Sequence, residues 1–293
     1  MTSLRPNLVK RIDRLPKPTN VTGALQPLFE AVSNAIHSTL GRFGDGVAQN
    51  GKVVITVLTN RAKDKVSAIV EDNGLGLDKR NWEAFTTTDT DNKIQIGGKG
   101  VGRLLWLDCF EQIAVNSVFL DGDELKRRTF KFALTLDEQI QGETVEVATN
   151  ASESMFQVKF EGLRSNGYHE KFPGRESFIF QHLTSHFLPV FIGGRSPQVA
   201  VHVNDETRHY PDAINDIVHR REPDIEITTE EYGTLRLTLM ECDKVASSDL
   251  KGSHFVHFIA HDRTVHSQSI DAKLGLVGSI VSDVRSHGTD WLA

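Results

Sequence analysis

Four glycines in six residues, Gly97-Gly98-Lys99-Gly100-Val101-Gly102, lead through Arg103 into the apolar run Leu104-Leu105-Trp106-Leu107. No other stretch restricts the fold so tightly, because a pliable turn must deliver the chain directly into a buried helix. Glycine opens backbone angles closed to other residues and lets a ligand approach the main chain. Bare N–H groups feeding a helix N-terminus favour an anion, and the helix dipole adds to that preference. Lys99 and Arg103 bring fixed positive charge to the same place. The ligand class this implies is a polyphosphate.

The run is not a P-loop, since Gly100 stands where that loop needs Ser or Thr to reach a metal. Its glycine spacing also differs from the dinucleotide fingerprint, and no ribose-binding acid follows at the expected distance. By itself such a turn reads equally well as a structural helix cap. Two further segments discriminate.

The first is a helix. Residues 1–24 are polar and punctuated by Pro6, Pro16 and Pro18, so they read as an arm and a turn. Gln26-Pro27 opens a helix, with proline tolerated in the first turn, and Gly41 and Gly44 stop it. At about 100° per residue, Leu25, Leu28, Val32 and Ile36 share one side. Glu30, Asn34 and His37 cluster on the other, an acid–amide–imidazole face suited to lining a site. The second segment is a strand end. Residues 52–59 and 66–70 alternate and are β-branched, hence strands. The latter runs into Glu71-Asp72-Asn73-Gly74-Leu75-Gly76-Leu77-Asp78, a glycine turn following an acid.

Beyond these, residues 82–85 form a short helix, and the threonine-rich stretch 86–100 reads as a lid. Strands are expected over 112–120 and 129–136, a hairpin around Asp121-Gly122-Asp123, with 144–148 and 156–160 continuing a meander. A helix over 177–191 ends at Gly193-Gly194, and a strand over 199–203 follows. The texture changes near 205–215, which divides the chain into residues 1–210 and 211–293. Strands over 235–240 and 254–260 fall in the second part.

The order Glu30-x-x-x-Asn34, Asp72-x-Gly74-x-Gly76, then Gly98-Lys99-Gly100-Val101-Gly102 resembles the GHKL ATPases, which include the gyrase B subunit, a heat-shock chaperone, sensor histidine kinases, MutL and the MORC proteins. The motifs cover residues 25–110 and the general layout extends to 205, nearest the MORC- and MutL-like branch. The resemblance implies an α+β fold: a two-layer α/β sandwich, a mixed sheet covered by helices on one face. A transducer-like module over 211–293 would follow, too short to be whole, so the chain reads as truncated.

ATP and Mg²⁺ are the implied cofactors. Asp72 would accept a hydrogen bond from the adenine amino group, beside the close turn at Gly74 and Gly76. Asn34 would offer oxygen to Mg²⁺. Backbone N–H groups of Gly98, Gly100, Val101 and Gly102 would hold the phosphates, with Lys99 and Arg103 offsetting their charge. Glu30 would be the general base that activates water, and His37 and Ser38 complete the ATP-binding set. His37 departs from the family, where Asp is common. The usual later Gly-Thr pair is not evident, with Thr144 an imperfect candidate. Lys251 and Lys273 are candidates for a residue reaching the γ-phosphate.

Composition sets the outer limits. A charged fraction of 25%, a hydrophobic fraction of 39% and a net charge of −6 describe an ordinary globular chain and argue against a surface built for non-specific nucleic-acid binding. Cys109 and Cys242 read as reduced core thiols. The first fifteen residues show no signal peptide, and no apolar run is long enough to span a membrane, so a cytoplasmic protein is expected. His254, His257, His261 and His266 do not share one strand face and read as structural. The resulting expectation is an ATP-operated clamp: lid closure, an ATP-dependent homodimer, slow hydrolysis, and a DNA or protein client reached through regions beyond this chain. The alternatives are a phosphotransferase of the histidine-kinase type and a non-hydrolysing ATP-binding scaffold.

Overall fold

A computed structural model describes residues 7–87, 102–215, 218–242, 255–260 and 263–269. The glycine-loop residues Gly98, Lys99, Gly100 and Val101 lie outside these, as do Lys251, Lys273, His254 and His261.

Two helices open the chain, α1 (Leu8–Asp13) and α2 (Val21–Phe43). Both start on an asparagine: Asn7 Oδ1 accepts from Lys10 N at 2.9 Å and Asn20 Oδ1 from Gly23 N at 2.8 Å. These caps satisfy donors that a helix start leaves orphaned. They make residues 8–13 and 21–24 helical where proline punctuation predicts an arm. Pro27 therefore lies in the second turn of α2 rather than at its opening, and its carbonyl accepts from Trp106 Nε1 at 3.0 Å. Gly41 is carried through, and α2 ends at Gly44, whose φ is +53°.

After the short α3 (Val47–Asn50), strands β1 (Lys52–Leu58) and β2 (Ser67–Asp72) pair antiparallel. Helix α4 (Lys79–Thr86) starts three residues earlier than predicted because Asp78 caps it, accepting from Asn81 N at 2.8 Å. Helix α5 (Gly102–Cys109) runs straight into β3 (Phe110–Asp121). The hairpin partner β4 (Glu124–Phe132) follows at once, five residues ahead of its predicted start.

Strand β5 (Ile140–Val147) pairs with β4, but β6 (Met155–Leu163) crosses to lie between β3 and β2. The expected meander is thus broken at that step. Helices α6 (Tyr168–Lys171) and α7 (Glu176–Ile192) lead to β7 (Gln198–Val203), parallel to β1, and to β8 (Glu206–Tyr210). The result is a mixed eight-stranded sheet of order β5-β4-β3-β6-β2-β1-β7-β8.

One face of that sheet holds the core. Val53, Ile55 and Val57 alternate inward with Ala68 and Val70, Val158 and Phe160, and Val199, Val201 and Val203. Leu25, Leu28, Val32 and Ile36 of α2, Leu104, Trp106 and Leu107 of α5, and Ile179, Phe180 and Leu183 of α7 cover them. The architecture is α+β. Asp108, near the end of α5, is buried beside Lys17 Nζ at 2.5 Å and Asn166 Nδ2 at 3.0 Å, so α5 is pinned at that end. Beyond Tyr210 the described residues form three two-stranded pairs: β9 (Val218–Arg221) with β12 (Met240–Cys242), β10 (Ile225–Thr229) with β11 (Gly233–Leu237), and β13 (Phe255–Ala260) with β14 (Arg263–Ser269). No helix among the described residues is long and apolar enough to cross a membrane.

Candidate functional site

Glu30, Asn34 and Ser38 recur every four residues along α2, all half-buried on the side away from its buried apolar stripe. At about 1.5 Å rise per residue the two ends of this row are about 12 Å apart. His37 is half-buried beside Ser38.

At the Ser38 end stands Asp72, the last residue of β2 and 2% exposed. Its Oδ1 accepts from Gly74 N at 2.8 Å, while Ser38 Oγ accepts from Leu75 N at 3.0 Å. The first bond closes the turn on the acid that ends β2, and the second clips it onto α2. Burial pushes the Asp72 carboxyl up to about 7, although the Gly74 N–H and the Ser38 hydroxyl both favour its ionised form; the negative charge of Glu71 adds to the rise. Both glycines of the turn are required by space. A β-carbon on Gly74 would lie 2.1 Å from Ser38 Oγ, and one on Gly76, whose φ is +68°, 2.2 Å from Val118 O.

The turn is held rigid by side chains that the motif reading does not contain. Arg42 Nη1 donates to Asn73 O, Ser154 Oγ to Gly74 O, Asn81 Nδ2 to Gly76 O and Arg128 Nη1 to Leu77 O, at 2.6–2.8 Å. Ser117 Oγ accepts from Leu77 N at 2.8 Å. Ser117 is fully buried and occupies an inward position in the alternation Ile113, Val115, Ser117, Phe119. A lone hydroxyl in that apolar series is the signal that reveals it. In register across β6, Asp72 faces Phe156 and Phe156 faces Ser117. Thr144, by contrast, is on the edge strand β5, bonded to Thr129 at 2.8 Å. Four strand spacings put it about 19 Å from β2, so it is remote from Asp72.

At the other end of the row, Glu30 meets the first residue of α5. A β-carbon on Gly102 would lie 2.4 Å from Glu30 Oε2, so the carboxylate is set against the main chain at the helix N-terminus. Arg103, one residue on, donates from Nη1 to Ala84 O at 2.9 Å and from Nη2 to Thr87 O. Asn34 lies one turn from each end of the row. Ser38 with Asp72 and Gly74, and Glu30 with Gly102, are therefore brought together through one face of one helix.

Among the described residues no group of three or more His, Cys, Asp or Glu side chains is placed to hold a metal. Amide and carboxylate oxygens one turn apart at Asn34 and Glu30 suit a hard, partly hydrated cation.

No family model matches the sequence, and no curated protein matches it. Among solved structures, the chain is similar to the ATPase region of Saccharomyces cerevisiae topoisomerase II at 12% sequence identity and a TM-score of 0.46. That likeness covers 70% of this chain and 61% of the other.

Proposed function

We propose that the chain binds Mg–ATP along the half-buried polar row of α2 and hydrolyses it slowly. The observation that carries the reading is the sharing of one helix face by Ser38, hydrogen-bonded to buried Asp72 and to the turn that follows it, and Glu30, set against Gly102. A site that ends in a buried carboxylate at one side and a helix N-terminus at the other suits a ligand with a base at one end and phosphates at the other.

In this reading Asp72 accepts a hydrogen bond from the adenine amino group, an interaction that guanine, with a carbonyl at that edge, does not offer. The anchored turn holds the carboxylate in place before the base arrives, so little ordering is left for binding to accomplish. The phosphates lie toward the α5 N-terminus, and Asn34 would supply an oxygen to the metal. Mg²⁺, when bound, offsets phosphate charge. Glu30 orients the attacking water and takes its proton. Its carboxylate lies at the phosphate end of the row.

Residues 211–293 form a second, transducer-like unit, and ATP-driven association of two copies makes a clamp whose client is DNA or a protein. Calorimetry with ATP and phosphate release from wild type and Glu30→Ala test the catalytic assignment. The variant is expected to bind ATP within a few-fold of wild type and to lose most hydrolysis; equal rates would remove Glu30 from its role. γ-Labelled ATP releases free phosphate in this reading, whereas a labelled protein would mark a phosphotransferase.

A further inference from the structure

The geometry points to Arg103 as a positioning residue, fastening the C-terminal end of α4 to the first turn of α5, rather than as a ligand of phosphate. Its two terminal nitrogens donate to Ala84 O and Thr87 O, and its guanidinium carbon lies 5.5 Å from the Phe85 ring centroid. These three contacts lie together at the end of α4. The last carbonyls of a helix have no partner within it, and a cation there also meets the negative end of the dipole. A planar fork meets two such carbonyls through separate nitrogens held in fixed geometry and stacks on a ring at the same time, whereas a lysine ammonium offers one nitrogen and no stacking plane.

The post to which Arg103 is tied is firm. Phe85 packs against Phe130 and Phe132 at centroid distances of 5.4 and 5.3 Å and near Trp82 and Trp106. The end tied down matters as well, because Gly102, the neighbour of Arg103, is the residue against Glu30. Loosening the clasp shifts the main chain that faces the Glu30 carboxylate. Arg103 thus acts on the site through α5, at the point where the chain leaves α4 at Thr87 and enters α5 at Gly102.

The consequence for nucleotide affinity rests on the ATP reading above; the clasp itself does not. The test therefore has two arms, each applied to wild type, Arg103→Lys and Arg103→Gln. In nucleotide-free protein, hydrogen exchange at the amides of residues 84–87 and 103–106 is expected to accelerate about tenfold in both variants, because a local opening becomes easier. Wild-type protection in Arg103→Lys would overturn the proposal. In the second arm, calorimetry at low and high salt is expected to show ATP binding about tenfold weaker in both variants, roughly 1.4 kcal/mol, with the salt dependence of wild type. Near-wild-type affinity in Arg103→Lys, together with weak and less salt-sensitive binding in Arg103→Gln, would mark a direct phosphate contact and overturn it. If wild type bound no ATP, the ATP reading would fail while the exchange arm still decided the clasp.

Discussion

Glu30 and Gly102 approach so closely that a β-carbon on Gly102 would lie 2.4 Å from Glu30 Oε2. The obstructing atom is the far end of a flexible side chain, so an added methyl can push it aside. Gly102→Ala is therefore expected to fold normally, with stability changed by less than about 1 kcal/mol, because the position is the first of the helix and not its interior. Hydrolysis should nevertheless fall, because the displaced carboxylate is the proposed base. Thermal unfolding and phosphate release measured on the same sample check this. Full activity in a variant at least as stable as wild type would show that the position of Glu30 is immaterial.

Gly76 presents the opposite case. Its φ of +68° is one that side chains rarely adopt, and a β-carbon would lie 2.2 Å from the carbonyl oxygen of Val118, which cannot swing away. Gly76→Ala is expected to lose about 1–3 kcal/mol of stability from backbone strain, and adenine-nucleotide binding with it. Denaturant melts and calorimetry read the two effects, which should appear together.

The turn also depends on Ser117, whose hydroxyl accepts from Leu77 N and donates to Met155 O at 3.2 Å. Ser117→Ala leaves a buried N–H without its acceptor, and about 1–3 kcal/mol is the expected cost. Chemical denaturation measures it, and Ser117→Thr should restore part of the loss if the extra methyl fits.

These positions mark how far the sequence alone can be read. Strands β1, β2 and β7 follow from strict alternation, and the polar row of α2 from helical phase, because burial on one side imposes both periods. The glycine turn after Asp72 is legible for a similar reason: only glycine fits where main chains nearly touch. The starts of α1 and α2 are hidden, since Asn7 and Asn20 act as caps through bonds of three residues' span while nearby prolines signal a break. The crossing of β6 to pair with β2 leaves no local mark, because strand partners are chosen by the whole sheet. The anchors Arg42, Asn81, Arg128 and Ser154 are ordinary polar residues in sequence, and only the path of the chain brings them to one turn.

Asp72 supports the sharpest test, because its pH dependence has a definite sign. Burial holds its carboxyl near 7 in the folded chain against an ordinary value of 3.8. Between those values the folded state binds the extra proton, so folding stability falls as pH rises through this window. Asp72→Asn removes the cost of ionisation and keeps an oxygen for Gly74 N. The variant should match wild type near pH 4 and exceed it at pH 8, by on the order of 2–4 kcal/mol. Nucleotide binding should behave in reverse. In wild type, ATP affinity should rise from pH 6 to pH 8 as the carboxylate becomes a full acceptor, and in Asp72→Asn it should be weaker by about 1–3 kcal/mol and flat over that range. Ser38→Ala, which removes a hydrogen bond favouring the ionised form, should move the wild-type midpoint upward. Calorimetry at three pH values distinguishes these outcomes, and a wild-type affinity insensitive to pH would separate Asp72 from the base.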